Sequence, residues 1–151
     1  MLTELLNTDT IQIVDKVETW QEAIHLASAP LLQQKKIENR YIQAMIHSIK
    51  KHGPYVVLTP KVAIPHARPS DGVNALSMSL LSLQKPVLFG PDMPVFLIFV
   101  LAATDSESHL QALVDLTQVL HVPAQIDSII ACQHPDDILQ KIKQYATEER
   151  I

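Results

Sequence analysis

The nine-residue run Val95-Phe96-Leu97-Ile98-Phe99-Val100-Leu101-Ala102-Ala103 constrains this chain more than any other stretch. It has less than half of the roughly 20 residues that a membrane-spanning helix needs, and its β-branched and aromatic content suits a strand. Consecutive apolar positions leave neither face of such a strand fit for water, so helices must cover both. The run thus predicts the central strand of a layered α/β sheet. It ends in Thr104-Asp105-Ser106-Glu107-Ser108-His109, a polar hinge rich in N-cap residues. A helix is expected beyond it, with Leu110, Leu113, Val114, Leu116 and Leu120 on its buried stripe. His109 then lies at or near a helix N-terminus that follows the C-terminal end of a central strand. Unpaired amides and the positive dipole end attract anions at such positions, and open α/β sheets gather their ligands there.

The remaining elements alternate around this strand. A short helix over residues 1–7 and a short strand over Ile11-Gln12-Ile13-Val14 are expected. Thr19 and Glu22 have the spacing of a capping box, so a helix starts there, with Pro30 expected to end or kink it and Trp20 as a core or staple residue. From Glu38, the positions Tyr41, Ile42, Met45, Ile46 and Ile49 repeat at helical spacing until Lys50-Lys51-His52 and Gly53-Pro54 stop the helix. His47 and His52 read as surface or capping residues. Tyr55 to Leu58, Lys61 to Ile64 and Ser77 to Leu83 read as strands, and Gln84 to Pro94 as a loop or irregular edge. Helices are expected from Pro123 through Ala131, burying Ile126, Ile129 and Ile130, and from Pro135, burying Ile138, Leu139, Ile142 and Tyr145. Neither a repeat nor a linker interrupts this order. Residues 1–151 read as one α/β layered domain with a small mixed sheet flanked by helices on both sides.

Between the second helix and the central strand lies Thr59-Pro60-Lys61-Val62-Ala63-Ile64-Pro65-His66-Ala67-Arg68-Pro69-Ser70-Asp71-Gly72. Pro60, Pro65 and Pro69 each fix φ and push the preceding residue out of the helical region, so no helix runs through it. Val62 and Ile64 alternate with Lys61 and Ala63 as in a strand, and Asp71-Gly72 supplies turn chemistry. An imidazole, His66, is therefore held near a strand end. Arg68 follows two residues on and can share its face if the backbone stays extended, bringing both within reach of one anion. A histidine that merely caps a turn or packs at a sheet edge fits the same residues.

Bulk properties exclude several classes. The net charge is −4, the pI is near 5.9, and no basic run exceeds Lys35-Lys36 or Lys50-Lys51, which argues against nucleic acid or a membrane surface as partner. The first residues lack the basic start and apolar run of an export signal. With Cys132 as the only cysteine, an internal disulfide or a cysteine-based metal cluster is ruled out, and a reducing cytoplasm is the expected compartment. Cys132 itself reads as a small buried hydrophobe.

The segment Val62-Ala63-Ile64-Pro65-His66-Ala67-Arg68-Pro69 resembles the active-site segment of enzyme IIA of the bacterial phosphotransferase system, in the mannitol/fructose class. Its Pro-His-Ala-Arg-Pro form is most similar to the ascorbate-specific branch, and Asp105-Ser106-Glu107-Ser108-His109-Leu110 falls where that family carries its other active-site histidine. The resemblance implies a mannitol-type enzyme IIA fold and a phosphotransferase working through a phosphohistidine. It implies that His66 takes a phosphoryl group from HPr and passes it to a cysteine on enzyme IIB of a membrane permease, for uptake of ascorbate or a related sugar. His109 is implied to stabilise the group in transit.

Phosphoryl transfer of this kind requires an unprotonated ring nitrogen, a fixed tautomer and donors for the phosphoryl oxygens. A partly protonated His109, Arg68, and amides or hydroxyls near Ser106 and Ser108 are the candidate donors, and neither metal nor cofactor is required. The mannitol-type branch places an arginine about sixteen residues before the nucleophile where this chain has Lys50, so either Lys50 or Arg68 supplies the positive charge. An enzyme IIA-like module phosphorylated as a regulatory signal shares the same site. A metal-dependent hydrolase built on His66, His109 and Asp71 or Asp105 lacks a supporting His-x-x-x-His motif.

Overall fold

The structure is a computed structural model that describes residues 2–148; Met1 and residues 149–151 lie outside the description. Four strands, β1 (Ile11–Val14), β2 (Lys61–Ala63), β3 (Ser77–Leu88) and β4 (Pro94–Ala102), form one mixed sheet in the order β1-β3-β4-β2. The outer strands run parallel to their neighbours, β1 on β3 and β2 on β4, whereas β3 and β4 are antiparallel.

β4 is the apolar run, and its side chains alternate between two cores. Ile98, Val100 and Ala102 face one side with Ala27 of α2 (Trp20–Gln33) and Ile42 and Met45 of α3 (Asn39–His52). Leu97, Phe99 and Leu101 face the other, against Leu116 of α4 (Ser106–Leu120), Ile129 of α5 (Pro123–Ile130) and Ile142 of α6 (Pro135–Glu148). Full burial of each large apolar side chain stabilises the fold by about 1.5–3 kcal/mol, so a strand buried on both faces anchors both layers at once. The short helix at the start is α1, Leu2–Leu5.

Several local expectations need correction. Pro30 does not end α2, which runs on to Gln33. The carbonyl that a proline at this position leaves without its helical donor is that of Leu26, and Gln12 Nε2 supplies the bond at 2.7 Å. Nor is Tyr55 to Leu58 a strand. Lys61 takes a left-handed φ of 77°, Val62 N–H bonds back to Thr59 O at 3.2 Å, and the chain turns there instead of running straight. β3 continues through the expected loop as far as Leu88. Its ladder with β4 is interrupted between Ser82 and Val87, so Pro86 occupies an irregular stretch in which it owes no donor. On α4, Leu110 and Val114 are exposed, while Ala112 and Val119 take buried places beside Leu116 and Leu120.

Because β2 and β4 are parallel neighbours, their C-terminal ends leave the sheet at the same edge. His66 lies just beyond the first, and His109 lies on the helix that follows the second.

Candidate functional site

The approach to His66 is rigid. Val62, Ala63, Ile64 and Pro65 are all buried, and the Leu101 N–H of β4 bonds Pro65 O at 3.1 Å, extending the ladder past β2. The half-buried His66 ring turns back on its own strand, with Nδ1 2.8 Å from Ile64 O. A carbonyl oxygen can only accept, so Nδ1 carries the proton and the lone pair belongs to Nε2.

His109 arrives from the opposite direction, on the first turn of α4. Asp105 caps that helix, accepting from the Ser108 amide at 2.7 Å and from the Ser108 hydroxyl at 3.2 Å. These bonds, the amide's first, hold the Asp105 carboxyl below its ordinary range. The two imidazoles meet at a centroid distance of 4.8 Å with their planes 62° apart. Burial, and then the neighbouring His66, lower the His109 pKa from its ordinary 6.5. The ring thus binds a proton less readily than a free imidazole.

Both histidines open into a cleft of about 720 Å³. Arg68 and Ser106 line it as well, the Arg68 side chain 82% exposed with Nε 3.4 Å from Asp71 Oδ2. Two of the expected donors are elsewhere. The Ser108 hydroxyl is committed to the Asp105 cap, and Lys50 does not line the cleft. Lys51 does, because one residue along a helix turns the side chain by about 100°.

α3 contributes more than the sequence indicated. His47, Ser48, Lys51 and His52 share the face that walls the cleft, and their i, i+4 spacing was the available signal. Beyond α3, Tyr55 links this wall to His66. Its hydroxyl lies 2.7 Å from Ser48 Oγ, and its ring meets that of His66 edge-on at 6.2 Å and that of His52 at 6.5 Å. Among the described residues no cluster of three His, Cys, Asp or Glu side chains is arranged to hold a metal ion.

Two imidazoles held in different ways, facing each other in a cleft that Lys51 and Arg68 also line, suit the carriage of a phosphoryl group. Residues 4–145 match the model of the family described as "Phosphoenolpyruvate-dependent sugar phosphotransferase system, EIIA 2". The chain belongs to this family. It is thus an enzyme IIA (EIIA) component of a sugar-transporting phosphotransferase system. The ascorbate-specific PTS system EIIA component of Escherichia coli (strain K12) is 31% identical to this EIIA over 141 residues, 91% of this chain and 92% of the relative. In three dimensions the mannitol-specific cryptic phosphotransferase enzyme IIA from Escherichia coli superimposes with a TM-score of 0.87 at 33% identity, over 95% of this chain and 98% of that one. A solved complex of enzyme IIAMTL with phosphorylated enzyme IIBMTL, also from Escherichia coli, matches with a TM-score of 0.82 at 25% identity, covering 92% of this chain and 97% of its counterpart. The four-stranded mixed sheet between two helical layers is accordingly a mannitol-type EIIA fold. Among the described residues no helix is long and apolar enough to cross a membrane.

Proposed function

We propose that this EIIA carries a phosphoryl group on Nε2 of His66, taking it from phospho-HPr and passing it to a cysteine of enzyme IIB. The observation that carries this reading is the Nδ1–H bond to Ile64 O, which leaves Nε2 as the free nucleophile beside His109. In the first step the Nε2 lone pair attacks phosphorus, a P–N bond forms, and the electron pair of the breaking bond stays with the donor. In the second, the cysteine thiolate attacks phosphorus, a P–S bond forms, and His66 Nε2 recovers its lone pair. No oxidant, metal or external base is consumed, because donor and acceptor are both protein side chains.

Charge on the phosphoryl oxygens needs donors fixed in advance. His109 lies nearest the nucleophile, and Arg68, Lys51 and Ser106 border the same cleft. A dianion arriving beside His109 raises its proton affinity against the lowering by burial, so the ring gains proton occupancy as the group lands. Ascorbate or a related sugar is the proposed cargo of the system, on the strength of the ascorbate-specific relative. Enzyme IIB is the proposed acceptor on the strength of the solved IIA–IIB complex of the mannitol system. The proposed compartment is the cytoplasm, in keeping with a chain that has a single cysteine.

The test is transfer from phosphoenolpyruvate through purified enzyme I and HPr to the wild-type chain, His66→Ala and His109→Ala. An acid-labile phosphate is expected on the wild type, none on His66→Ala, and slow labelling on His109→Ala. A wild type that takes no label, or a His66→Ala variant that still takes it, overturns the reading.

A further inference from the structure

The chain beyond β2 keeps the register of the β2–β4 ladder. Val62 lies opposite Leu97 and Ala63 opposite Ile98, and the same offset sets His66 opposite Leu101. In a parallel ladder a residue bonds, through its own N–H and C=O, the two residues flanking its partner. Leu101 should therefore bond Pro65 O and the Ala67 N–H. The first bond is direct, at 3.1 Å.

The second is not. The Tyr41 hydroxyl, reaching up from α3, accepts from the Ala67 N–H at 3.0 Å and donates to Leu101 O at 2.6 Å. Ala67 O is farther from it, at 3.4 Å. One oxygen atom thus stands in the ladder where two backbones would otherwise meet. Tyr41 is wholly buried, and burial above all pushes its phenol up to about 12, so the hydroxyl stays protonated and keeps its donor bond to Leu101 O.

A structural tether for α3 is the plainer role for this side chain, but the ring already does that. It packs in the core among residues such as Ile42, Met45 and Ala102, and a phenylalanine would fill the same space. The hydroxyl's two short partners flank the site instead. Ala67 adjoins His66, and Leu101 leads through the end of β4 to the helix that carries His109. His66 is the residue between the direct bond and the spaced one.

We propose that Tyr41 is the positioning residue of His66: its hydroxyl, inserted between Leu101 C=O and Ala67 N–H, holds the nucleophile's backbone off β4 at the separation from which its ring faces His109. The kinetic consequence rests on the phosphocarrier reading; the geometric one does not. Without the hydroxyl, the Ala67 N–H either closes directly on Leu101 O or loses its partner, and in both cases His66 moves relative to His109.

The experiment compares the wild-type chain with Tyr41→Phe. Phosphorylation by phospho-HPr is expected to fall about tenfold to a hundredfold in kcat, with KM changed by less than about twofold, as for a misplaced nucleophile on an intact docking surface. In ¹⁵N spectra the Ala67 amide and His66 ring resonances should shift, while amides of the β1–β3 ladder stay in place. An unchanged kcat, or a loss that falls on KM alone, overturns the proposal, as does a set of unshifted Ala67 and His66 resonances. If the wild type itself takes no phosphate, the phosphocarrier reading fails, and the resonances alone decide for or against the spacer. Should Tyr41→Phe not fold, the wild type gives the answer. A slowly exchanging Tyr41 hydroxyl proton with a cross-peak to the Ala67 N–H is expected, and its absence overturns the proposal.

Discussion

His66 and His109 touch, yet the chain holds them in opposite ways. The first is fixed by its backbone: buried extended residues lead into it, and a carbonyl two residues back assigns its proton to Nδ1. The second rides on the first turn of a helix, and no backbone acceptor for its ring occurs among the described residues; its proton affinity is lowered by burial and by His66 itself. On the phosphocarrier reading proposed above, a nucleophile must present the same lone pair each time, whereas a stabilising partner must change its charge as the group arrives and leaves. The strand end supplies the first property, and the helix start allows the second.

Removing each ring in turn breaks the comparison most directly. His66→Ala should abolish phosphoryl acceptance, whereas His109→Ala should slow it by about 10²–10³-fold, the usual cost of one preorganised donor. Because the rings act as a unit, the double variant should be no worse than His66→Ala alone. Rates measured with phospho-HPr decide this, and equal losses in the two single variants would erase the division of labour. A second test sharpens the claim about charge. An NMR titration of His109 should show its pKa rising when His66 is phosphorylated, and a pKa that stays or falls would remove the adjustable partner. A third concerns the α3 wall. Lys51→Ala should slow transfer about threefold to tenfold, less at high salt, as suits a partly solvated cation. Lys50→Ala, one residue away and outside the cleft, should leave the rate unchanged.

Much of the frame was legible because burial on both faces has an unmistakable pattern. In the apolar run every residue from Leu97 to Ala103 is buried, and the five apolar positions of α3 are all in the core. His66 and His109 were legible singly, one from prolines and alternation, the other from its capping residues. Their meeting was expected from the family resemblance, but local propensity alone does not fix it, because it depends on the offset of β2 against β4, which is set by the bulge at Phe96. His47 and His52 read as surface or capping residues and Lys51 as part of a helix stop, since each resembles an ordinary solvated helix face until a cleft stands opposite. Leu110 and Val114 were placed inside by the apolar stripe, yet Ala112 holds the buried position, where a small side chain suits close packing against the neighbouring layer.

The smallest expected effect is on stability, and it follows from the lowered His109 pKa. A ring that binds protons less tightly in the folded chain than at its ordinary value of 6.5 leaves the unfolded chain to take up the proton first as pH falls. Stability contributed by neutral His109 is thus complete above that value and is lost on acidification through it, until the folded ring also titrates. The partly exposed setting of the ring keeps the effect modest. Urea unfolding of the wild type and His109→Gln at pH 7.5 and 5.5, pH values chosen about one unit either side of the ordinary histidine pKa, isolates it from the other histidines. The wild type should lose more stability between the two than the variant does. An equal loss would mean that His109 titrates alike in the folded and unfolded chains, and the contrast with His66 would then rest on geometry alone.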